Sequence, residues 1–168
     1  MGITVASPFP AWALPQVWAW IESFRDRVCD DYAPKSLDEF LAEWEQRQPR
    51  ERSWAVYEED EIGGVIAVQT VNPDAALCRC YFKRAAWSTA VVVPALRAVY
   101  AEVFQGSTVK ISLPVFEDNW DLRRLALNAG AVEETPKHRP LRDATRRDGK
   151  LIGVRILSVF KGVSHGVA

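Results

Sequence analysis

Three strand-forming segments follow one another closely in the middle of the chain, at residues 54–57, 62–71 and 75–82. Each is rich in apolar and β-branched residues, and charged or turn-forming residues at 59–61 and 72–74 separate them. Parallel neighbours need a crossover of a dozen or more residues, so such short turns connect only antiparallel strands. The spacing therefore predicts an antiparallel meander of three strands at the centre of the fold.

Two helical patterns precede this meander. A short strand at residues 3–6 comes first, and a helix then starts at Pro15, because proline is tolerated in the first turn of a helix. Its apolar residues recur at spacings of three and four, as in an amphipathic helix: Val17, Trp18, Ile21, Phe24 and Val28. Ser36 and Glu39 form a capping box at the start of a second helix, which ends before Pro49.

Helices and strands alternate after the meander. A helical pattern at 88–104 contains Pro94, so we expect either a kink or a helix that starts only near Val92. A strand at 108–115 follows.

Asn119 opens a short amphipathic helix, Trp120–Asn128, and Gly130 closes it. A strand starts at 132–134 and is followed by a basic arm. An Asp148-Gly149 turn then leads into an apolar strand at 151–160.

The resulting order is β-α-α-β-β-β-α-β-α-β-β, which predicts an α/β fold with a single central mixed sheet flanked by helices. We expect one domain over residues 1–168, a length sufficient for a self-sustaining core. The formal net charge of −1 argues against a protein whose main role is to bind nucleic-acid phosphates. No apolar run approaches the roughly 20 residues that span a bilayer. The N-terminus lacks a secretory pattern, so we expect a cytoplasmic protein without a membrane partner.

The cysteines are odd in number: Cys29, Cys78 and Cys80. Cys78 and Cys80 alternate with Arg79 on a predicted strand, so both side chains should lie on the same face. No second cysteine or histidine pair stands at the spacing of zinc ligands. We therefore interpret the cysteines as buried free thiols and predict no metal site.

The order of elements and the pattern from Asn119 to Gly130 resemble the GNAT superfamily of acyl-CoA N-acyltransferases. The resemblance covers nearly the whole chain. Within the superfamily, the chain looks most like the branch of ribosomal-protein-N-acetyltransferase-like members. The features that resemble this branch are in the C-terminal arm and the closing strand: Glu134, Thr135, Arg142, residues 147–150 and residues 154–157. The resemblance implies a GNAT-like fold and direct transfer of an acetyl group from acetyl-CoA (coenzyme A) to an amine. It leaves open whether the acceptor is a small molecule or a protein amine.

The resemblance also implies where acetyl-CoA binds. In this family the third strand of the meander splays from the next strand, and its free backbone groups hold the pantetheine arm; here these residues are Cys80, Tyr81 and Phe82. The following loop binds the pyrophosphate at the start of a helix, where N–H groups and the helix dipole favour anions. In this chain the loop consists of Arg84, Ala85, Ala86, Trp87, Ser88 and Thr89. Asn119 either hydrogen-bonds the cofactor, as its family counterpart does, or serves as a helix N-cap.

Two departures from the family's pattern weaken the expected cofactor site. The family loop has glycines where this chain has Trp87 and Thr89, and the bulk of Trp87 crowds the position of a phosphate. Arg84 keeps a positive charge there, and Ser88 is placed to cap the helix. Many members carry a tyrosine that protonates the leaving thiolate, but the corresponding residue here is Ala126, so this acid route is closed.

Glu117 and Asp118 follow the strand at 108–115, close to where an acceptor amine would lie. Glu117 is our candidate for the general base, with a solvated loop charge as the alternative. We expect Asp118 to cap the next helix. The tyrosines of apolar runs are expected to pack in the core: Tyr57, Tyr81 and Tyr100.

Other functions stay open. A catalytically silent GNAT fold, used as a binding or structural module, would also lack the loop glycines and the tyrosine acid. The basic arm at 137–150 is either a solvated hairpin or a contact for CoA phosphates, an acidic partner or RNA. No aromatic residues interleave with its charges, which argues against nucleic acid. This fold often dimerises through its C-terminal strands, so a homodimer is a further alternative.

Overall fold

The described residues build one eight-stranded mixed sheet with helices on both faces. A computed structural model describes residues 2–134 and 144–162. The strands are Ile3–Ala6 (β1), Glu51–Glu58 (β2), Glu61–Asn72 (β3), Ala75–Phe82 (β4), Lys110–Phe116 (β5), Val132–Glu133 (β6), Ala144–Arg147 (β7) and Lys150–Phe160 (β8). The helices are Leu14–Ser23 (α1), Arg25–Val28 (α2), Leu37–Arg47 (α3), Thr89–Val103 (α4) and Trp120–Asn128 (α5).

The strand order in the sheet is β1-β2-β3-β4-β5-β8-β6, with β7 paired to β8. Strands β2, β3 and β4 are antiparallel neighbours, so the predicted meander is confirmed. Strand β5 joins β4 in parallel after the α4 crossover, and β8 returns antiparallel to β5. The predicted α/β class with a single central mixed sheet is therefore confirmed.

Each face of the sheet buries its own apolar cluster, because alternate residues of a strand point to opposite faces. One face packs against α4 and α5, and its fully buried members include Trp54, Ile66, Phe82 and Leu96. The other packs against α1 and α3 and includes Val17, Phe40 and Val65. Cys78 and Cys80 lie together on the α4 face, and all three cysteines are free and buried, as predicted.

The N-terminal helices follow the sequence pattern with two changes. Pro15 lies in the first turn of α1, but the helix ends at Ser23 and the last turn of the predicted stripe forms the separate helix α2. Ser36 caps α3 by accepting from the Glu39 N–H at 3.2 Å. The Glu39 carboxylate reaches one residue further than a capping box requires, to the N–H of Lys35 at 2.7 Å.

Helix α4 starts at Thr89 and continues through Pro94, so the expected delayed start is wrong. A proline inside a helix removes one backbone donor and costs roughly 3 kcal/mol. Burial of the neighbouring apolar residues offsets this cost, since Val91, Val92, Val93 and Ala95 all lie in the core.

The predicted Asp148-Gly149 turn is confirmed, and it joins β8 to a strand that the sequence did not predict, β7. Asp148 and Gly149 have φ angles of 51° and 71°, the left-handed pair that a tight two-residue hairpin requires. The more basic part of the arm, with Lys137, Arg139 and Arg142, lies outside the described residues. In the described ranges, no helix is long and apolar enough to cross a lipid bilayer.

Gly64 on β3 leaves room for the Phe82 side chain of β4. It lies opposite Phe82 in the β3–β4 register, and a Cβ at Gly64 would stand only 2.2 Å from the Phe82 ring. The neighbouring Gly63 is less restricted, because a Cβ there meets chiefly the end of the flexible Glu58 side chain, at 2.5 Å. Gly64 therefore fixes where the Phe82 ring lies.

We predict that Gly64→Ala lowers the free energy of unfolding by about 1–3 kcal/mol, because the ring of Phe82 must move to admit the methyl group. The matched change Gly63→Ala should stay within about 0.5 kcal/mol of wild type. Urea denaturation of the three proteins measures the difference. Equal stability of the two variants would show that Phe82 moves without cost.

Candidate functional site

Strands β4 and β5 pair only at their beginnings. The paired residues are Ala75 with Lys110, Ala76 with Ile111 and Leu77 with Ser112. Both strands continue beyond this point, β4 to Phe82 and β5 to Phe116, without further pairing between them in the described ranges. The sheet therefore contains a wedge-shaped gap between two neighbouring strands, as the resemblance implied.

Pro114 explains where the pairing stops. The N–H of Lys110 donates to the Asp74 carbonyl at 3.1 Å, so even-numbered residues of β5 point their N–H groups toward β4. Residue 114 would make the rung after Ser112, but proline has no N–H to donate. A proline inside a strand was a visible signal of an interrupted ladder, and our sequence analysis missed it.

The opposite edge of the gap consists of backbone groups from β4. The Lys83 N–H donates to Gly63 on the β3 side at 2.9 Å. Because backbone groups alternate between the two neighbours of a strand, those of Cys80 and Phe82 face the gap. Of the three residues predicted to line the pantetheine, Cys80 and Phe82 thus present amides that have no partner among the described residues. The backbone of Tyr81 faces β3, and Tyr81 lies beside the gap through its side chain.

The gap opens into a cavity of about 310 Å³, which we call the main cavity because it adjoins the gap and not because of its size. Apolar side chains from β5, α5 and β8 form most of its wall, including Leu113, Leu122 and Val154. Asn119 lies at one end, and Asp30 and Thr145 contribute polar groups. A slot with one apolar wall and one wall of free amides suits a long chain that carries both methylene and amide groups.

The thiols and phenols near the cavity keep their protons at neutral pH. Burial raises the pKa of Cys78 to about 12 and also raises the pKa of Cys80. Tyr100 is buried in the core beside Cys78 and Cys80, and burial raises its pKa as well. Tyr100 is therefore a core residue, as expected. Burial also raises the pKa of Tyr81, which lines the main cavity.

A second cavity, of about 220 Å³, lies beside the N-terminus of α4, and Trp87, Arg84, Arg27 and Asn119 line it. The loop that enters α4 forms a 3₁₀ turn, Arg84–Ala86. Ser88 occupies the N-cap position, but its side chain makes no capping hydrogen bond, contrary to expectation. The first N–H groups of any helix lack an intrahelical partner, so those at the start of α4 can bind an anion.

Trp87 lines the second cavity and does not fill it. Its indole packs edge-on against Phe82, with ring centroids 5.4 Å apart, and against Phe24 at 6.3 Å. These contacts hold the ring against the core. The Trp87 ring, which stands where the family has a glycine, therefore fits beside the start of α4.

Asn119 is the N-cap of α5, one of the two roles that the sequence left open. Its side-chain oxygen caps α5 by accepting from the Leu122 N–H at 3.2 Å. The same side chain lines both cavities. Capping uses the oxygen, so the amide NH₂ group remains a donor for a ligand.

The two acidic residues before Asn119 make contacts that sequence reasoning did not foresee. Glu117 is exposed, and its carboxylate accepts from the Gly153 N–H at 3.1 Å. Asp118 does not cap α5, because Asn119 takes that position and Asp118 pairs with Arg147 at 2.6 Å. The expectation that Asp118 is the cap is therefore wrong.

Asp30 and Thr145 were missed by sequence reasoning. Thr145 lies on β7 and donates its hydroxyl proton to Asp30 at 2.7 Å, although 115 residues separate the two in the chain. Both line the main cavity. No local pattern marks such a pair, and the strand that carries Thr145 was itself not predicted.

A clasp between the α2–α3 loop and the β7–β8 hairpin brings these two residues together. The Asp31 carboxylate accepts from the N–H groups of Asp148 and Gly149 at 2.7 and 2.9 Å. Arg147 donates to the carbonyls of Cys29 and Arg27 and lies over the Phe116 ring. This basic residue of the arm is thus used for internal contacts.

An ion cluster fixes α5, and with it Asn119, against the sheet. Glu133 on β6 accepts from Arg123 of α5 at 2.7 Å and also binds Arg155 of β8. Burial alone would raise the pKa of Glu133, but the hydrogen bonds from both guanidinium groups outweigh it and lower the pKa. The carboxylate therefore stays charged and links three elements at neutral pH.

No protein-family model and no curated protein matches the sequence. Among solved structures, the chain is similar to spermidine N-acetyltransferase from Vibrio cholerae in complex with CoA and spermine. The TM-score is 0.77 at 15% identity, over 95% of each chain. It is also similar to the ribosomal L7/L12 alpha-N-protein acetyltransferase in complex with coenzyme A. Here the TM-score is 0.77 at 13% identity, over 94% of this chain and 93% of that one.

A third similar structure is a Salmonella typhimurium protein solved with acetyl-CoA as its cofactor, with a TM-score of 0.75 at 11% identity. That match covers 98% of this chain and 96% of the other. At such low identities these likenesses establish the fold. The chain has the fold of GNAT acetyltransferases, as the sequence resemblance predicted.

Proposed function

We propose that the protein is an acetyl-CoA-dependent N-acetyltransferase that acts on an amine by direct transfer. The observation that carries this proposal is the gap between β4 and β5 beyond Leu77 and Ser112, with unpaired amides on one side and a cavity behind it. Similar structures with such a fold were solved with coenzyme A or acetyl-CoA bound. A linear ligand gains backbone hydrogen bonds when it lies along a free strand edge.

The proposed cofactor contacts follow the gap from end to end. The backbone of Cys80 and Phe82 would bind the amide groups of pantetheine, with Tyr81 beside them. The start of α4, after the loop of Arg84, Ala85, Ala86, Trp87 and Ser88, would bind the pyrophosphate through the N–H of Thr89 and the helix dipole. Arg84 adds a positive charge at the second cavity. Asn119, which lines both cavities, would orient the cofactor between them.

The chemistry needs little from side chains. Acetyl-CoA supplies a thioester whose carbonyl carbon forms a bond to the amine nitrogen as its bond to sulfur breaks. Free backbone N–H groups at the gap are suited to stabilise the negative charge on the carbonyl oxygen. The chain otherwise holds the two reactants together, which by itself lowers the barrier substantially. Ala126 offers no proton to the leaving thiolate, so water would deliver it.

Glu117 remains our proposed general base, acting on the acceptor through water. The substitution Glu117→Gln removes the base but keeps an oxygen that can accept from Gly153. We predict that kcat falls by about 10²–10⁴-fold, the usual contribution of general acid–base catalysis, while KM for acetyl-CoA is unchanged. Release of the free thiol in the presence of primary amines measures both constants. The matched control is Glu45→Gln, which removes an exposed carboxylate of α3. Unchanged turnover in Glu117→Gln would leave this residue as a structural loop charge.

A calorimetric titration with acetyl-CoA tests the proposal itself. We expect micromolar affinity for the wild type. Asn119→Asp keeps an equally good N-cap but places a negative charge beside the proposed phosphate site. We therefore predict unchanged thermal stability and an affinity weakened about tenfold, as expected for like charges at close range.

The control for added charge is Asn128→Asp, at the other end of the same helix, which should leave affinity unchanged. No binding by the wild type at millimolar acetyl-CoA would contradict the proposal and would favour a catalytically silent binding module. Equal affinity of wild type and Asn119→Asp would remove Asn119 from the cofactor site.

A further inference from the structure

We infer that Asp30 and Thr145 form a recognition site for a primary ammonium group, so that the acceptor is a cationic amine carried on an apolar body. The inference rests on the proposed acetyl transfer and deepens it by naming the class of acceptor. Three observations support it: the charge of Asp30, the hydrogen bonds of Asp30 and Thr145, and the apolar side chains that surround this pair in the main cavity.

The hydrogen-bonding capacity of the pair is only partly used. One Asp30 oxygen accepts from the Thr145 hydroxyl at 2.7 Å, and the other accepts from the Tyr32 N–H at 3.0 Å. Each carboxylate oxygen can accept two hydrogen bonds, so each retains one position. Because the Thr145 hydroxyl donates its hydrogen to Asp30, its oxygen remains available as an acceptor. A primary ammonium group has three donors to match these acceptors.

Asp30 also provides the negative charge that a ligand in the main cavity would contact. Among the residues that the structure describes, Asp30 is the one carboxylate lining the main cavity. The one cation lining it, Arg79, is engaged in an ion pair with the buried Glu51 and also donates to Gln69. Asp30 therefore has no cationic partner from the cavity wall.

Three arginines around the α2–α3 loop are engaged in ion pairs, whereas Lys35 of the same loop lines a separate cavity that Asp30 also borders. Arg25 binds Glu22 at 2.6 Å, Arg27 lies 3.7 Å from Asp121, and Arg147 binds Asp118 at 2.6 Å. None of these ion pairs includes Asp30. A ligand cation in the main cavity would give Asp30 a direct ion-pair partner.

The remainder of the cavity wall specifies the rest of the acceptor. Val28, Leu113, Leu122 and Val154 surround the polar pair with hydrocarbon. A charge is stable in such surroundings only with a counter-charge close by, which Asp30 provides for a cation. An amine that carries its own carboxylate would bring a second anion into the same space and would be repelled. The site therefore selects against amino acids.

The clasp keeps this pair in place before a ligand arrives. Asp31 follows Asp30 and holds the hairpin turn through Asp148 and Gly149, and its own N–H donates to the Arg146 carbonyl at 2.7 Å. Thr145 is the neighbour of Arg146 on the same strand. Binding a ligand therefore requires little reordering of these side chains, which favours affinity.

Nuclear magnetic resonance titration of the full chain with n-butylamine tests the inference. At neutral pH, with CoA present, we expect saturable shifts of backbone amides at residues 28–32 and 144–146. The neutral isostere n-butanol and the zwitterion 4-aminobutanoate should bind at least tenfold more weakly. Asp30→Asn should weaken n-butylamine binding about tenfold or more, as expected when a charged hydrogen-bond partner is lost.

Asp26→Asn is the matched control, because it removes an exposed charge of α2 that does not line the main cavity and should change affinity less than twofold. Should Asp30→Asn fail to fold, Thr145→Val removes one acceptor and should weaken binding about threefold to tenfold. Equal binding of n-butanol and n-butylamine, equal effects of the two aspartate variants, or shifts confined to other residues would overturn the inference.

Titration of CoA-free samples of the same proteins, first with CoA and separately with n-butylamine, distinguishes the two proposals. If CoA binds but n-butylamine does not shift these amides, the ammonium site is wrong and the proposed acetyl transfer stands. If n-butylamine binds through Asp30 while CoA does not bind, the acetyl transfer is wrong and the ammonium site stands by itself.

Discussion

The parting of β4 from β5 is the constraint on which the proposed site depends. Each strand is held on its far side by an antiparallel partner, β4 by β3 as far as Phe82 and β5 by β8 as far as Phe116. Between them, the ladder ends where Pro114 would have to donate a hydrogen bond. The gap is thus built from fixed strands and one missing donor, so it exists before any ligand enters.

Packed side chains connect the gap to the N-terminus of α4, the helix that we propose binds phosphate. Gly64 makes room for the Phe82 ring, and Phe82 in turn supports Trp87 at the entrance to α4. This arrangement explains how the chain accommodates a tryptophan where related loops have glycine. The ring packs against apolar neighbours, and a cavity remains beside the first turn of α4. Loss of a loop glycine therefore does not close the position at which we propose that phosphate binds.

Local patterns predicted much of the fold, and contacts between distant segments account for most of what was missed. The meander, the α5 helix between Asn119 and Gly130 and the Asp148-Gly149 turn were all predicted from residues adjacent in the chain. A delayed start of α4, one of the two alternatives expected from Pro94, is wrong because core burial outweighs the effect of the proline. Asp30 and Thr145 were not foreseen, since only the clasp between two distant segments brings them together. In contrast, the role of Pro114 was visible in the sequence and was overlooked.

The central claim is that the free edge of β4 receives the pantetheine arm of acetyl-CoA, and amide hydrogen exchange measures this directly. In the free protein, the amides of Cys80 and Phe82 should exchange faster than that of Tyr81, which is bonded to β3. Saturating acetyl-CoA should slow exchange at Cys80 and Phe82 at least tenfold and leave Tyr81 nearly unchanged. Amides at Cys80 and Phe82 that are already protected in the free protein, or that do not respond to acetyl-CoA, would contradict the account.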